Sequence, residues 1–243
     1  MADLKEGIQL RKGQGIAPFQ VARPQSGVLK LSGALKKELG ADVKARLLPR
    51  KGQTRIATRL GATAPPGTHK ATLVTEEGEY PVVVDVPARE KLRLSPSSVH
   101  VTGRPGDRVA LDFVVKNTGN VALEVPTGGV AGLFASDGLA GAFAAAYGSE
   151  AEAPLDIFGD FILGLRRSYL GLMRFRLTPE IKGPLGAGQH CQASGDVVLP
   201  DPLNADTQLG EGRAFHAVVV MKQNLRLTVR LTLSHPNHKG DSR

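Results

Sequence analysis

Residues 105–125 read PGDRVALDFVVKNTGNVALEV, and their hydrophobic residues recur with a period of two. Val109, Leu111, Phe113 and Val115 alternate with Ala110, Asp112, Val114 and Lys116. That spacing puts the first set on one face of a strand and spoils the stripe a helix would need. Pro105-Gly106-Asp107 is turn chemistry on the near side, and Asn117-Thr118-Gly119-Asn120 ends the run on the far side. Val121, Leu123 and Val125 resume the alternation. The stretch therefore reads as strand, short polar turn and strand, the antiparallel unit of an all-β fold.

The same pattern recurs along the chain. Val43, Ala45 and Leu47 alternate with Lys44, Arg46 and Leu48, and Arg50-Lys51-Gly52-Gln53 supplies a hairpin turn before Ile56, Thr58 and Leu60. His69, Ala71 and Leu73 share a face, Glu76-Glu77-Gly78-Glu79 is a hairpin tip, and Tyr80, Val82, Val84 and Val86 return. Residues 173–177, 194–199, 214–221 and 225–233 continue the β pattern. Residues 34–39 fit one helical turn or a loop.

One region breaks the rhythm. Residues 127–147 are rich in Gly and Ala. Residues 155–170 then read as a helix, with Phe158, Phe161, Ile162, Leu165 and Tyr169 inside one arc at 100° per residue and Asp156, Asp160 and Arg167 on the other side. An apolar arc of five such side chains must be covered, by its own domain or by a partner. It is the candidate partner surface.

Residues 105–120 resemble the second-strand region of bacterial immunoglobulin-like domains. Residues 65–86, PPGTHKATLVTEEGEYPVVVDV, resemble the closing hairpin of such a domain. The resemblance implies two tandem immunoglobulin-like β-sandwiches. One spans residues 1–88 and the other 89–235, with a mainly helical insertion at about 127–190 and a polar tail at 236–243. It also implies interaction work, because such domains serve as adhesion, accessory, chaperone and spacer modules, and it carries no catalytic residues. Periplasmic pilus chaperones are a second point of comparison, being basic, two-domain and immunoglobulin-like. They suggest capture of a partner strand at a sheet edge.

Charge is uneven. The net value is +8. Residues 1–88 hold 14 Lys and Arg against 8 Asp and Glu, and residues 89–243 hold 17 against 15. The densest cluster joins Lys44, Arg46, Arg50, Lys51, Arg55 and Arg59, beside Lys36 and Lys37. If Arg46 and Arg55 pair across their hairpin, the stripe could face phosphates. Nucleic-acid binding would normally add a recognition helix or stacking rings, and with no Trp and only 5% aromatic residues the composition argues against it.

Cys191 is the sole cysteine, so no intrachain disulfide forms and nothing argues for an oxidising compartment. No leader-like apolar core opens the chain, and no run approaches the ~18 apolar residues that span a bilayer. The expectation is a cytoplasmic protein. There is no phosphate-binding G-x-x-x-x-G-K-[ST], no G-x-G-x-x-G and no G-x-S-x-G. His69, His100, His190, His216, His235 and His238 show no metal-ligand spacing, and His190 is poorly placed to activate its neighbour Cys191. The sequence therefore points to a non-catalytic interaction or scaffold module without cofactor or metal, whose partner is a protein or a second copy.

Overall fold

The computed structural model describes residues 7–148, 154–200, 214–222 and 225–233. Among them the chain forms two compact units. One comprises the residues up to Lys91 together with Asn117–Leu123 and Leu185–Gln189. The other comprises Leu92–Lys116, Glu124–Pro184 and the described residues from His190 onward.

The first unit is a closed barrel. Its strands are β1 (Ile8–Arg11), β2 (Gln14–Ala17), β3 (Gln25–Leu31), β4 (Val43–Arg50), β5 (Gln53–Thr58), β6 (Gly67–Thr75) and β7 (Gly78–Val86), in the order β1-β2-β5-β4-β3-β6-β7. A parallel pairing of β1 with β7, Leu10 opposite Val84, closes the ring. Closure satisfies every strand edge. The alternation explains the filling: Leu10, Leu29, Leu47, Ile56, Leu73 and Val84 all point inward and are fully buried. Each such side chain contributes about 1.5–3 kcal/mol of transfer free energy. The short helix α1 (Gly33–Leu39) adds Leu35 to this core and ends at Gly40 in the left-handed conformation. Thr54 is the polar exception inside, and its Oγ1 accepts the Val21 N–H at 3.0 Å.

The second unit holds an eight-stranded sheet. Its strands are β8 (Leu92–Ser95), β9 (Ser98–Gly103), β10 (Arg108–Asn117), β11 (Gly128–Ala135), β12 (Tyr169–Pro179), β13 (His190–Val198), β14 (Ala214–Val220) and β15 (Arg226–Leu233), in the order β8-β10-β13-β12-β11-β14-β15-β9. The two outermost strands, β8 and β9, are separated in the chain only by Pro96 and Ser97. The sheet must therefore curl until its edges return to one another. Phe113 and Phe175 meet edge to face inside it, 5.5 Å apart. Helices α2 (Gly138–Tyr147) and α3 (Pro154–Ser168) lie in the connection between β11 and β12.

The protein is thus mainly β with two sheets, as its alternation implies. Three expectations need correction. Where two layered sandwiches were expected, hydrogen bonding runs continuously around a barrel and along one curled sheet. Residues 121–125 alternate in burial but form no strand, making only the isolated bridge Leu123–Leu185; an extended chain alternates whether or not it is paired. Residues 127–190 are not mainly helical, because β11 and β12 are central strands of the sheet and only the segment between them is helical. Glycine-rich β11, GGVAGLFA, has Val130 as its one β-branched residue, so little in its sequence marks a strand.

Candidate functional site

The α2–α3 hairpin is where the sequence placed its partner surface. Its seam is made by small residues. A Cβ on Gly164 would fall 2.7 Å from the Cα of Ala142, and Ala142 is fully buried. Close approach there turns the inner side of α3 toward Gly164 and Ser168, and Phe161 packs its ring 5.0 Å from that of Phe143.

The predicted arc is consequently split. Phe161 and Leu165 are half-buried, whereas Phe158 and Ile162 are 58% and 45% exposed. Tyr169 is not in the helix at all. It opens β12, sits opposite Phe134 of β11, and holds its ring 4.9 Å from that of Phe134. The periodicity counted only large apolar residues, so it missed a contact face centred on glycine and alanine. It also missed α2, whose Leu139, Phe143 and Tyr147 stand at i, i+4 and i+8 on the outside. With Leu155, Phe158 and Ile162 of α3 they make an exposed apolar surface, and a groove of about 450 Å³ runs between Phe143, Tyr147, Pro154, Ile157 and Phe158.

The basic stripe is also rearranged. Arg46 lies opposite Ala57, and Arg55 lies opposite Leu48, so the two arginines are not partners. Arg55 instead donates from Nη2 to Gln14 Oε1 at 3.0 Å. Lys44, Arg46 and Arg59 do converge on a trough of about 640 Å³ with Gln14. Arg50 and Lys51 stand at the hairpin turn, outside that trough.

The remaining reactive groups are accounted for one by one. Cys191, on β13, is half-buried; burial first, and the nearby Glu180 carboxylate second, push its thiol up from the ordinary value. A thiol held protonated is a poor nucleophile. His69 donates from Nε2 to the Pro65 carbonyl at 2.9 Å, and His190 is exposed at the start of β13. His100 and Thr232 share a hydrogen bond of 2.9 Å. His235 and His238 lie outside the described residues. No group of three or more His, Cys, Asp or Glu able to hold a metal occurs among the described residues. No helix among them is long and apolar enough to cross a membrane.

No family model matches the chain, and no curated protein does. Among solved structures it is similar to a protein of unknown function from Porphyromonas gingivalis W83, at 10% identity over 93% of this chain and 96% of that one, with a TM-score of 0.28. It is also similar to the titin fragment A168169, at 8% identity over 95% and 97% of the two chains, TM-score 0.28. A third neighbour is the N-terminal eight Ig domains of Down Syndrome Cell Adhesion Molecule, at 10% identity over 93% of this chain and 24% of that one, TM-score 0.21. Similarities this loose carry no argument about function.

Proposed function

We propose that the protein is a non-catalytic interaction module that associates with a second copy of itself through the outer face of the α2–α3 hairpin. The observation behind this is the apolar surface of Leu139, Phe143, Tyr147, Leu155, Phe158 and Ile162, all left exposed by their own fold. Large contiguous apolar patches mark association sites. The choice of a second copy rests on charge. Helix α3 carries Asp156 in its first turn and Arg166 and Arg167 in its last. A two-fold axis that sets two α3 helices antiparallel brings each acidic end to the other's basic end. Capture of a foreign strand at a sheet edge has less to work with. The barrel is closed, and the edge strands of the curled sheet are short, β8 spanning Leu92–Ser95 and β9 Ser98–Gly103.

Light scattering on the purified chain tests this. The expected mass is twice the 25.7 kDa of one chain. Phe158→Asp or Ile162→Asp should give a folded monomer, since both side chains are exposed within one copy. A monomeric wild type, or a dimer indifferent to both apolar substitutions, overturns the reading.

A further inference from the structure

Five neighbouring strands of the curled sheet place one residue each in a single row. Tyr169 of β12 lies opposite Phe134 of β11. Phe134 lies opposite His216 of β14, His216 opposite Arg230 of β15, and Arg230 opposite His100 of β9. Their chain neighbours Leu133, Ala135, Phe215, Leu231 and Val101 are buried, so the row stands on the outer face. Two rings thus continue into an imidazole, a guanidinium and a second imidazole.

The five strands of the row carry one sign of charge. Strands β11, β12, β14, β15 and β9 contain no Asp or Glu, and they carry Arg174, Arg176, Arg226 and Arg230 with the two histidines. A trough of about 640 Å³ runs over the polar end of the row. Among the described residues its lining includes His100, His216, Arg230, Thr228, Thr232 and Ser136, and no carboxylate. Among the described residues lining the trough there is no carboxylate to neutralise Arg230, and a guanidinium matches phosphate geometry through paired N–H groups. Imidazole N–H and hydroxyl groups on either side can meet the remaining oxygens. Phe134, 40% exposed, offers a flat face two strands away from Arg230, about 10 Å at the usual inter-strand spacing.

We propose that this face binds a small organic phosphate carrying a planar ring, with the phosphate on Arg230 between His216 and His100 and the ring against Phe134. The site is independent of the hairpin association proposed above. Its recognition logic is a charge-assisted clamp at one end and stacking at the other.

Calorimetric titration of the full chain with adenosine monophosphate, inorganic phosphate and adenosine tests it. The monophosphate should bind saturably and more tightly than either fragment. Arg230→Ala should weaken it by about tenfold or more, as loss of a charge-assisted pair does. Phe134→Ala should weaken the monophosphate by about fivefold or more, the lower end of a lost stacking contact, and leave inorganic phosphate unchanged. Thermal unfolding of Arg230→Ala should match wild type, because the side chain is exposed. No saturable binding of the monophosphate overturns the proposal, as does binding indifferent to Arg230→Ala. Equal affinity for inorganic phosphate removes the ring from the ligand class and overturns it too. Binding of a single-stranded oligonucleotide without the monophosphate assigns the face to a polymer instead.

Discussion

Gly164 of α3 lies directly against the backbone of Ala142 of α2, so close that a Cβ at 164 would sit 2.7 Å from the Ala142 Cα. Ala142 itself is 0% exposed. The hairpin is held at a backbone-to-backbone contact, and its large apolar residues are left for the outside. This relationship explains why Phe158 and Ile162 remain exposed on a helix whose sequence is amphipathic.

Two glycines of the same helix should respond in opposite directions. At Gly159 an added Cβ meets nothing within 4 Å, so Gly159→Ala should raise helix stability by about 0.5–1 kcal/mol. At Gly164 the added side chain has to displace a backbone, so Gly164→Val should cost about 1–3 kcal/mol of overpacking. Urea unfolding of the two variants checks this; equal and positive shifts would mean that the seam does not exist.

Asn120 should be worth more to the first unit than its place in a polar turn suggests. Its Nδ2 donates to the carbonyls of Ala64 and Pro87 at 2.9 and 3.0 Å, and its Oδ1 accepts the Arg89 N–H at 2.6 Å. Asn120→Ala leaves the buried Ala64 carbonyl and the part-buried Pro87 and Arg89 groups without these partners and should cost about 1–3 kcal/mol. Asn120→Asp should cost more, because a carboxylate would face two carbonyl oxygens. Gly119→Ala should be at least as damaging, since its Cβ would fall 2.0 Å from the Arg89 oxygen. A shift of the urea midpoint with unchanged slope is the expected readout.

Cys191 should be slow to alkylate in the folded protein. Burial disfavours the thiolate, and Glu180 adds like-charge repulsion. Iodoacetamide at mildly alkaline pH should therefore modify the urea-unfolded chain faster than the native one. The same shift has a sign for stability. Below the ordinary thiol range both states hold the proton, and stability is indifferent to pH through this group. As pH rises past that range the unfolded chain ionises first, so the folded state loses ground until the native thiol also ionises. Equal alkylation rates in the two states would refute the assignment.

Much of the β architecture was legible in the chain itself. Val109, Leu111, Phe113 and Val115 alternate because a strand alternates, and Phe113 and Val115 are indeed buried. Ala45, Leu47 and Ile56 behave in the same way around their hairpin. Such local periodicity needs only one face of solvent and one face of core, so it can be read without knowing the partner strand. The residues of the candidate sites were less legible. Asn117-Thr118-Gly119-Asn120 is recognisable in sequence as a turn, but only the fold shows its two asparagines buried at 0% and 8% exposure and bonded to carbonyls far along the chain.

Composition and periodicity by themselves determined that this chain is mainly β, with a helix at residues 155–170. Tertiary structure decided the rest. Whether Arg46 meets Arg55 depends on hairpin register, and a shift of one position exchanges the faces of every pair. Whether the arc of α3 is core or surface depends on where two small residues let a second helix approach. The row from Tyr169 to His100 gathers residues from five strands, and two of its four pairings, β11 with β14 and β15 with β9, join strands that are not consecutive in the chain. Strand order is set by which edges find hydrogen-bond partners across the whole unit, a long-range condition that no local window of sequence contains.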